Sequence, residues 1–180
     1  MLHEVLGKNI NVEDCEEDFS TIYEKGYFPK ELMDEIKEAN VLLIPNYIIK
    51  DKKEAYVFPE NTQEFLEYLR DNASDTFKPD IAIDDDGFHK LELHSATITI
   101  TSLIVKKIVY PIALGLITNF LYDQVKKMHR DKENVSAKVN IIVTEEGKKS
   151  KRISYEGPVS SVEEALISAT KEIFNDSTGD

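Results

Sequence analysis

Residues 79–107 read PDIAIDDDGFHKLELHSATITITSLIVKK, and the fold class turns on how they divide into strands and helix. Asp80-Ile81-Ala82-Ile83-Asp84 alternates, as does His89-Lys90-Leu91-Glu92-Leu93-His94, and Asp86-Gly87 between them is a two-residue turn signal. A hairpin centred near Asp86 sets Ile81 opposite Leu91 and Asp80 opposite Glu92. Ile81, Ile83, Leu91 and Leu93 then share one face, and Asp80, Asp84, Lys90, Glu92 and His94 the other. The stretch that follows, 95–107, has two readings. Thr-Ile alternation from 97 to 101 indicates a strand. Ser95, Thr99, Ser102, Lys106 and Tyr110 instead recur at helical spacing, as a polar stripe on an apolar helix. The alternation of 89–94 loses phase at Ser95-Ala96, so the expectation is a helix from about residue 97, kinked before Pro111.

Working outward, VEDCEEDFSTIYEK (12–25) reads as a helix with acids in its first turns and Gly26 as its stop. PKELMDEIKEA (29–39) is a second helix starting on Pro29, with Leu32, Ile36 and Ala39 as its apolar stripe. VLLIP (41–45) has the continuous apolarity of a strand buried on both faces, and AYVF (55–58) is a further strand after a polar loop. Asn61 or Thr62 caps a helix through 72 whose Phe65, Leu66 and Leu69 face inward. PIALGLITNFLYDQVKKMHR (111–130) is the clearest helix, apolar nearly all round in its first half and amphipathic in its second. Strands at 137–145 and 151–157 flank a Glu-Gly-Lys turn, and a helix at 160–174 opens with the capping-box spacing of Ser160 or Ser161 and Glu163 or Glu164. Together these predict an α+β (mixed α/β) domain. Its sheet is antiparallel or mixed, built from β-hairpins, with about five helices packed on it. The domain spans 1–174, with a possible hairpin-helix subdomain at 135–174 and a flexible tail at 175–180.

The 180 residues carry a net charge of −12, which argues against general nucleic-acid binding because phosphate contacts need surplus Lys and Arg. The charge is uneven. Residues 1–40 hold eleven Asp/Glu against four Lys/Arg, whereas residues 123–152 hold nine Lys/Arg against five Asp/Glu. Either these are two solvated faces, or one surface docks on the other within a chain or between protomers. The single cysteine, Cys15, allows no intrachain disulfide and fits a reducing cytoplasmic compartment. No basic-then-apolar leader is visible, and the apolar run 108–122 is shorter than the roughly 20 residues of a membrane span.

Chemistry-bearing patterns are sparse. Gly-x-Ser-x-Gly, phosphate-loop glycines and zinc spacing among His3, His89, His94, His129 and Cys15 are all lacking. Pro79-Asp80 followed by Glu92-Leu93-His94 resembles the Pro-Asp…Glu-x-Lys metal-dependent nucleases, departing where His94 stands for the lysine. That resemblance implies Asp80 and Glu92 as ligands of Mg²⁺ or Mn²⁺, with His94 as a catalytic partner.

The leading expectation is a non-enzymatic, cytosolic, microbial interaction or assembly module with no cofactor. It acts as a homo-oligomer or with a partner protein. Its interface is expected at Ile112, Leu116 and Phe120 of the apolar helix and at the basic Lys148, Lys149, Lys151 and Arg152. The alternatives are a nuclease or phosphodiesterase using Asp80, Glu92 and His94, and a membrane-associated effector acting through residues 98–122.

Overall fold

The computed structural model describes residues 9–83, 90–91 and 97–178, without the side chains of Lys50, Lys90, Leu91 and residues 174–178. Five α-helices and a mixed seven-stranded sheet make up its main body. In chain order the elements are β1 (Ile10–Cys15), α1 (Phe19–Tyr23), α2 (Met33–Lys37), β2 (Val41–Ile44), β3 (Asn46–Lys50), β4 (Lys53–Pro59), α3 (Thr62–Asp71) and β5 (Pro79–Ile81). They continue with β6 (Lys90–Leu91), β7 (Ile98–Thr99), β8 (Ser102–Lys106), α4 (Tyr110–Lys127), β9 (Ser136–Thr144), β10 (Ser150–Pro158) and α5 (Val162–Thr178). The main sheet runs β1-β10-β9-β8-β2-β5, with β7 also on β9. The pairs β8/β9, β7/β9 and β2/β5 are parallel, and the other neighbours are antiparallel.

Residues 98–106 are strand, not the helix expected from about 97. The helical spacing of polar residues is produced by a bulge. Thr99 pairs with Lys138, but Leu103 pairs with Ile141, so one extra residue is inserted between β7 and β8. That residue resets the alternation. Ile98 and Ile100 before the bulge, and Leu103 and Val105 after it, all join the same buried cluster. Without the reset, Leu103 and Val105 would point to the opposite face.

Across this face lie α3, α4 and α5. Helix α4 is central: Phe120 packs on Phe65 of α3 at 4.9 Å between ring centres, and Tyr122 contacts Glu163 of α5. Ala113, Ile117, Phe120, Leu121 and Val125 are buried. A helix covered by the sheet and by a helix on each flank must be apolar round most of its circumference, which explains its first half. With its preceding turn, 107–127 has the length and composition of a membrane-crossing helix, and 44% of the apolar stretch is buried in the protein. Ile108 and Ile112 on its outer ridge are exposed.

The opposite face is covered only in part. Phe19, Ile22, Phe28, Ile36 and Ala39, from the segment carrying α1 and α2, pack on Cys15, Leu42, Ile44, Ile104 and Ile142. The helix expected at 12–25 is therefore strand β1 followed by the short α1. Ile10 and Val12 alternate into the core, and Asp18 starts α1 as its cap by accepting from Thr21 N–H at 2.9 Å. The acids that suggested a helix dipole instead line an edge strand opposite β10. There Glu13 faces Arg152 and Asp14 faces Lys151, and Lys149 reaches Glu16 at 2.9 Å. The charge asymmetry of the sequence thus closes within the chain.

The expected hairpin 80–94 does not form as one unit. β5 runs parallel to β2, while β6 runs parallel to β4 in a separate three-stranded sheet with β3. Ile81 therefore pairs with Leu43, not Leu91. The parallel crossover from β2 to β5 gives Ile81 a fully buried partner strand, which the two-residue turn signal could not outweigh. The expected positions 84–89 and 92–94 lie outside the described residues. The C-terminal hairpin and α5 belong to the main sheet and its core rather than standing apart.

The buried Thr101 hydroxyl donates to the carbonyl of Ile44 at 2.6 Å and ties the bulge to β2. Thr101→Val removes the donor of this buried hydrogen bond. Denaturant unfolding should show a loss of about 1–3 kcal/mol; no loss would mean that the bond does not hold the bulge. The β1 contacts should also respond to acid. Lys151 holds the Asp14 carboxyl below its usual range, first by hydrogen bonding. A depressed folded-state pKa gives stability that is present above the unfolded value and lost as pH falls through the folded one. Acid titration below about pH 4 should therefore cost Lys151→Met less stability than the parent chain; an equal loss in both would contradict this role for the pair.

Candidate ligand cleft

Pro45 ends the part of the chain that pairs with the main sheet. It has no N–H to donate, and β3 turns away beyond it to form a hairpin with β4. Asp51 and Lys52 both take positive φ, 53° and 64°, closing the hairpin as a tight two-residue turn. Asn46 substitutes for the interrupted ladder: its Oδ1 accepts from Ser102 N–H at 3.1 Å and from the Ser102 hydroxyl at 2.8 Å. The hairpin is anchored at its far end by Phe58, which is fully buried.

Between this hairpin and the uncovered part of the sheet lies a cleft of about 680 Å³, within the usual range for ligand sites. One wall is aromatic. Tyr56 stands edge-on to Tyr27 at 5.1 Å and 66°, and tilts against its cross-strand partner Tyr47 at 5.6 Å and 56°. The floor is β9 and β10. On this face β9 alternates Lys138, Asn140 and Ile142, and β10 contributes Arg152. Asn140 Oδ1 and Arg152 Nε are buried and have no hydrogen-bond partner among the described residues. The terminal nitrogens of Arg152 lie 3.7 Å from Glu13 and 3.5 Å from Glu17, and Glu17 also lies 3.6 Å from Lys25.

The Tyr27 phenol is pushed up to about 12, chiefly by burial and then by Tyr56 and Glu17, so it stays a neutral donor throughout the physiological range. The Tyr47 phenol is also raised, first by its hydrogen bond to Glu54. The wall is therefore uncharged, and cations and amides are confined to the floor and mouth.

A larger depression of about 1130 Å³ opens at the ends of β8 and β9. Two of its three lysines, Lys107 and Lys148, lie 3.1 and 3.7 Å from Glu145, and the third, Lys106, lies over the Phe19 ring at 5.6 Å.

The residues singled out in the sequence lie elsewhere. Asp80 accepts from Arg70 Nη2 at 3.1 Å and from Ile81 N–H at 2.8 Å, at the edge of the main sheet. Glu92 and His94 lie outside the described residues. Among the described residues no three His, Cys, Asp or Glu side chains gather as a metal site. Of the expected interface, Phe120 is in the core, Ile112 is exposed and Leu116 is partly buried against the core. Lys149, Lys151 and Arg152 pair with Glu16, Asp14 and Glu13, and Lys148 with Glu145. Tyr27, Tyr47 and Tyr56 were not singled out. They are scattered in sequence, and the one available signal was Tyr47 and Tyr56 flanking the polar turn at equal distance.

No family model, curated protein or solved structure matches the chain.

Burial of Tyr27 makes a spectroscopic prediction. Burial pushes both Tyr27 and Tyr110 up to about 12, so alkaline titration should show two tyrosines ionising near pH 12, and one fewer in Tyr27→Phe. The raised pKa gives stability that is present below the unfolded value of about 10 and lost as pH rises through the folded one. Ionisation of Tyr27 near pH 10 would contradict its placement in the wall.

Proposed function

We propose that this chain is a non-enzymatic interaction module that docks a partner in the cleft between the main sheet and the β3–β4 hairpin. One observation carries the reading: an acceptor, Asn140 Oδ1, and a donor, Arg152 Nε, are buried and unpaired among the described residues and line the same cleft as three tyrosines. Leaving such an atom unpaired costs about 1–3 kcal/mol, so a polar group that enters the cleft, from solvent or from a partner, is stabilised by pairing with it. The surroundings support binding more than chemistry. Arg152 lies against Glu13 and Glu17, and no nucleophile–base pair or metal cluster lines the cleft among the described residues.

The test separates a residue kept for binding from one kept for folding. Asn140→Leu should leave stability unchanged or raise it by about 1 kcal/mol, because the Asn140 Oδ1 makes no hydrogen bond within the described residues that the change would remove. A loss of more than about 1 kcal/mol would show that Asn140 serves the fold. The same preparation, incubated with Mg²⁺ or Mn²⁺ and DNA or RNA, should cleave neither. Cleavage abolished by Asp80→Ala would replace this reading with the nuclease.

A further inference from the structure

We propose, resting on that reading of the cleft, that its occupant is an extended, acidic, proline-containing segment of a partner protein. Shape is the first argument. The rings of Tyr27 and Tyr47 meet that of Tyr56 at 66° and 56°, so the wall is ridged rather than flat. A planar base stacks best on an open, flat ring face. A ridged wall of tilted rings instead suits the edges of saturated rings, as in aromatic grooves that dock polyproline-type peptides.

Hydrogen bonding is the second argument. An extended peptide in this conformation makes no internal bonds, so each residue presents a free carbonyl, and each non-proline residue a free N–H. Asn140 Oδ1 accepts one N–H and Arg152 Nε donates to one carbonyl, which satisfies both orphans on the floor. These residues lie on neighbouring strands, Asn140 opposite Ser154 and Arg152 two positions away. The peptide therefore runs across the strands, within the cleft that the tyrosines line.

Charge is the third. Among the described residues, Lys25, Lys138 and Arg152 line the cleft against one carboxylate, Glu17. Glu13 and Glu17 engage Arg152, and Glu17 engages Lys25. Lys138, exposed at the mouth and cross-strand from Glu156, enters no ion pair among the described residues and is accessible to an acidic side chain. On a chain of net charge −12 this is a local exception, suited to one or two carboxylates and not to a polyanion.

The experiment measures binding to the full chain by fluorescence anisotropy and by amide chemical-shift changes. Three probes are used: a labelled peptide alternating proline with glutamate, the same peptide with lysine for glutamate, and adenosine monophosphate. The acidic peptide should bind at least about tenfold more tightly than the basic one, with shifts centred on Asn140, Arg152 and Tyr56. Tyr56→Ala should weaken it by about tenfold or more while circular dichroism stays unchanged. Lys138→Glu, on an exposed position, should abolish or reverse the charge preference. Equal binding of both peptides, or a preference that survives Lys138→Glu, overturns the proposal. Nucleotide shifts in the cleft without peptide binding overturn the peptide but leave a binding cleft. No shift in the cleft with any probe overturns both.

Discussion

The hydrogen bond from Thr101 to the Ile44 carbonyl joins the two irregularities that shape this protein. On one side of it, β7 and β8 carry an extra residue, which keeps Ile98, Ile100, Leu103 and Val105 on a single face. On the other side, Pro45 stops pairing and sends β3 and β4 out of the main sheet. A bulge leaves backbone groups without ladder partners, and a proline removes a donor. The Thr101 hydroxyl and the Asn46 amide restore the lost bonds from side chains. Were β7 and β8 continuous, either the residues before the break or those after it would face away from the three helices. With both irregularities in place, a hairpin stands off from the sheet and a cleft opens beneath it.

Charge is organised by the same sheet. The acidic N-terminal segment and the basic β10 meet as an edge-strand pair, so most of the basic segment is committed to contacts inside the chain. Such exposed pairs each contribute little to stability. Their larger effect is on the edge itself: a strand fringed with Glu13 and Asp14 is a poor template for another chain. Arg152 belongs both to that fringe and to the cleft floor. Its terminal nitrogens lie against Glu13 and Glu17, while its Nε has no partner among the described residues.

Much of the architecture could be read from residue patterns alone. The buried strand at 41–45, the inward Phe65, Leu66 and Leu69, the long helix from Pro111 and the last hairpin all carry undisturbed periodicity. The errors fall where periodicity is broken or shared. A bulge turns period two into an apparent helical spacing at Thr99, Ser102, Lys106 and Tyr110. Acids at 13–18 satisfy a helix start and an edge strand equally well. The Asp-Gly signal at 86–87 spoke for a local hairpin, while long-range parallel pairing with β2 claimed Ile81. The cleft could not be read, because its wall joins residues 27, 47 and 56 and its floor residues 138, 140 and 152, and only the tertiary fold brings them together.

The measurement that bears most directly on the cleft is a crystal structure at a resolution that shows ordered water. If the floor is kept open for a partner, water should bond to both Asn140 Oδ1 and Arg152 Nε in the free protein, with Tyr27, Tyr47 and Tyr56 standing clear of them. A dry floor would contradict it, with the tyrosines collapsed onto β9 and β10 and both atoms paired within the chain.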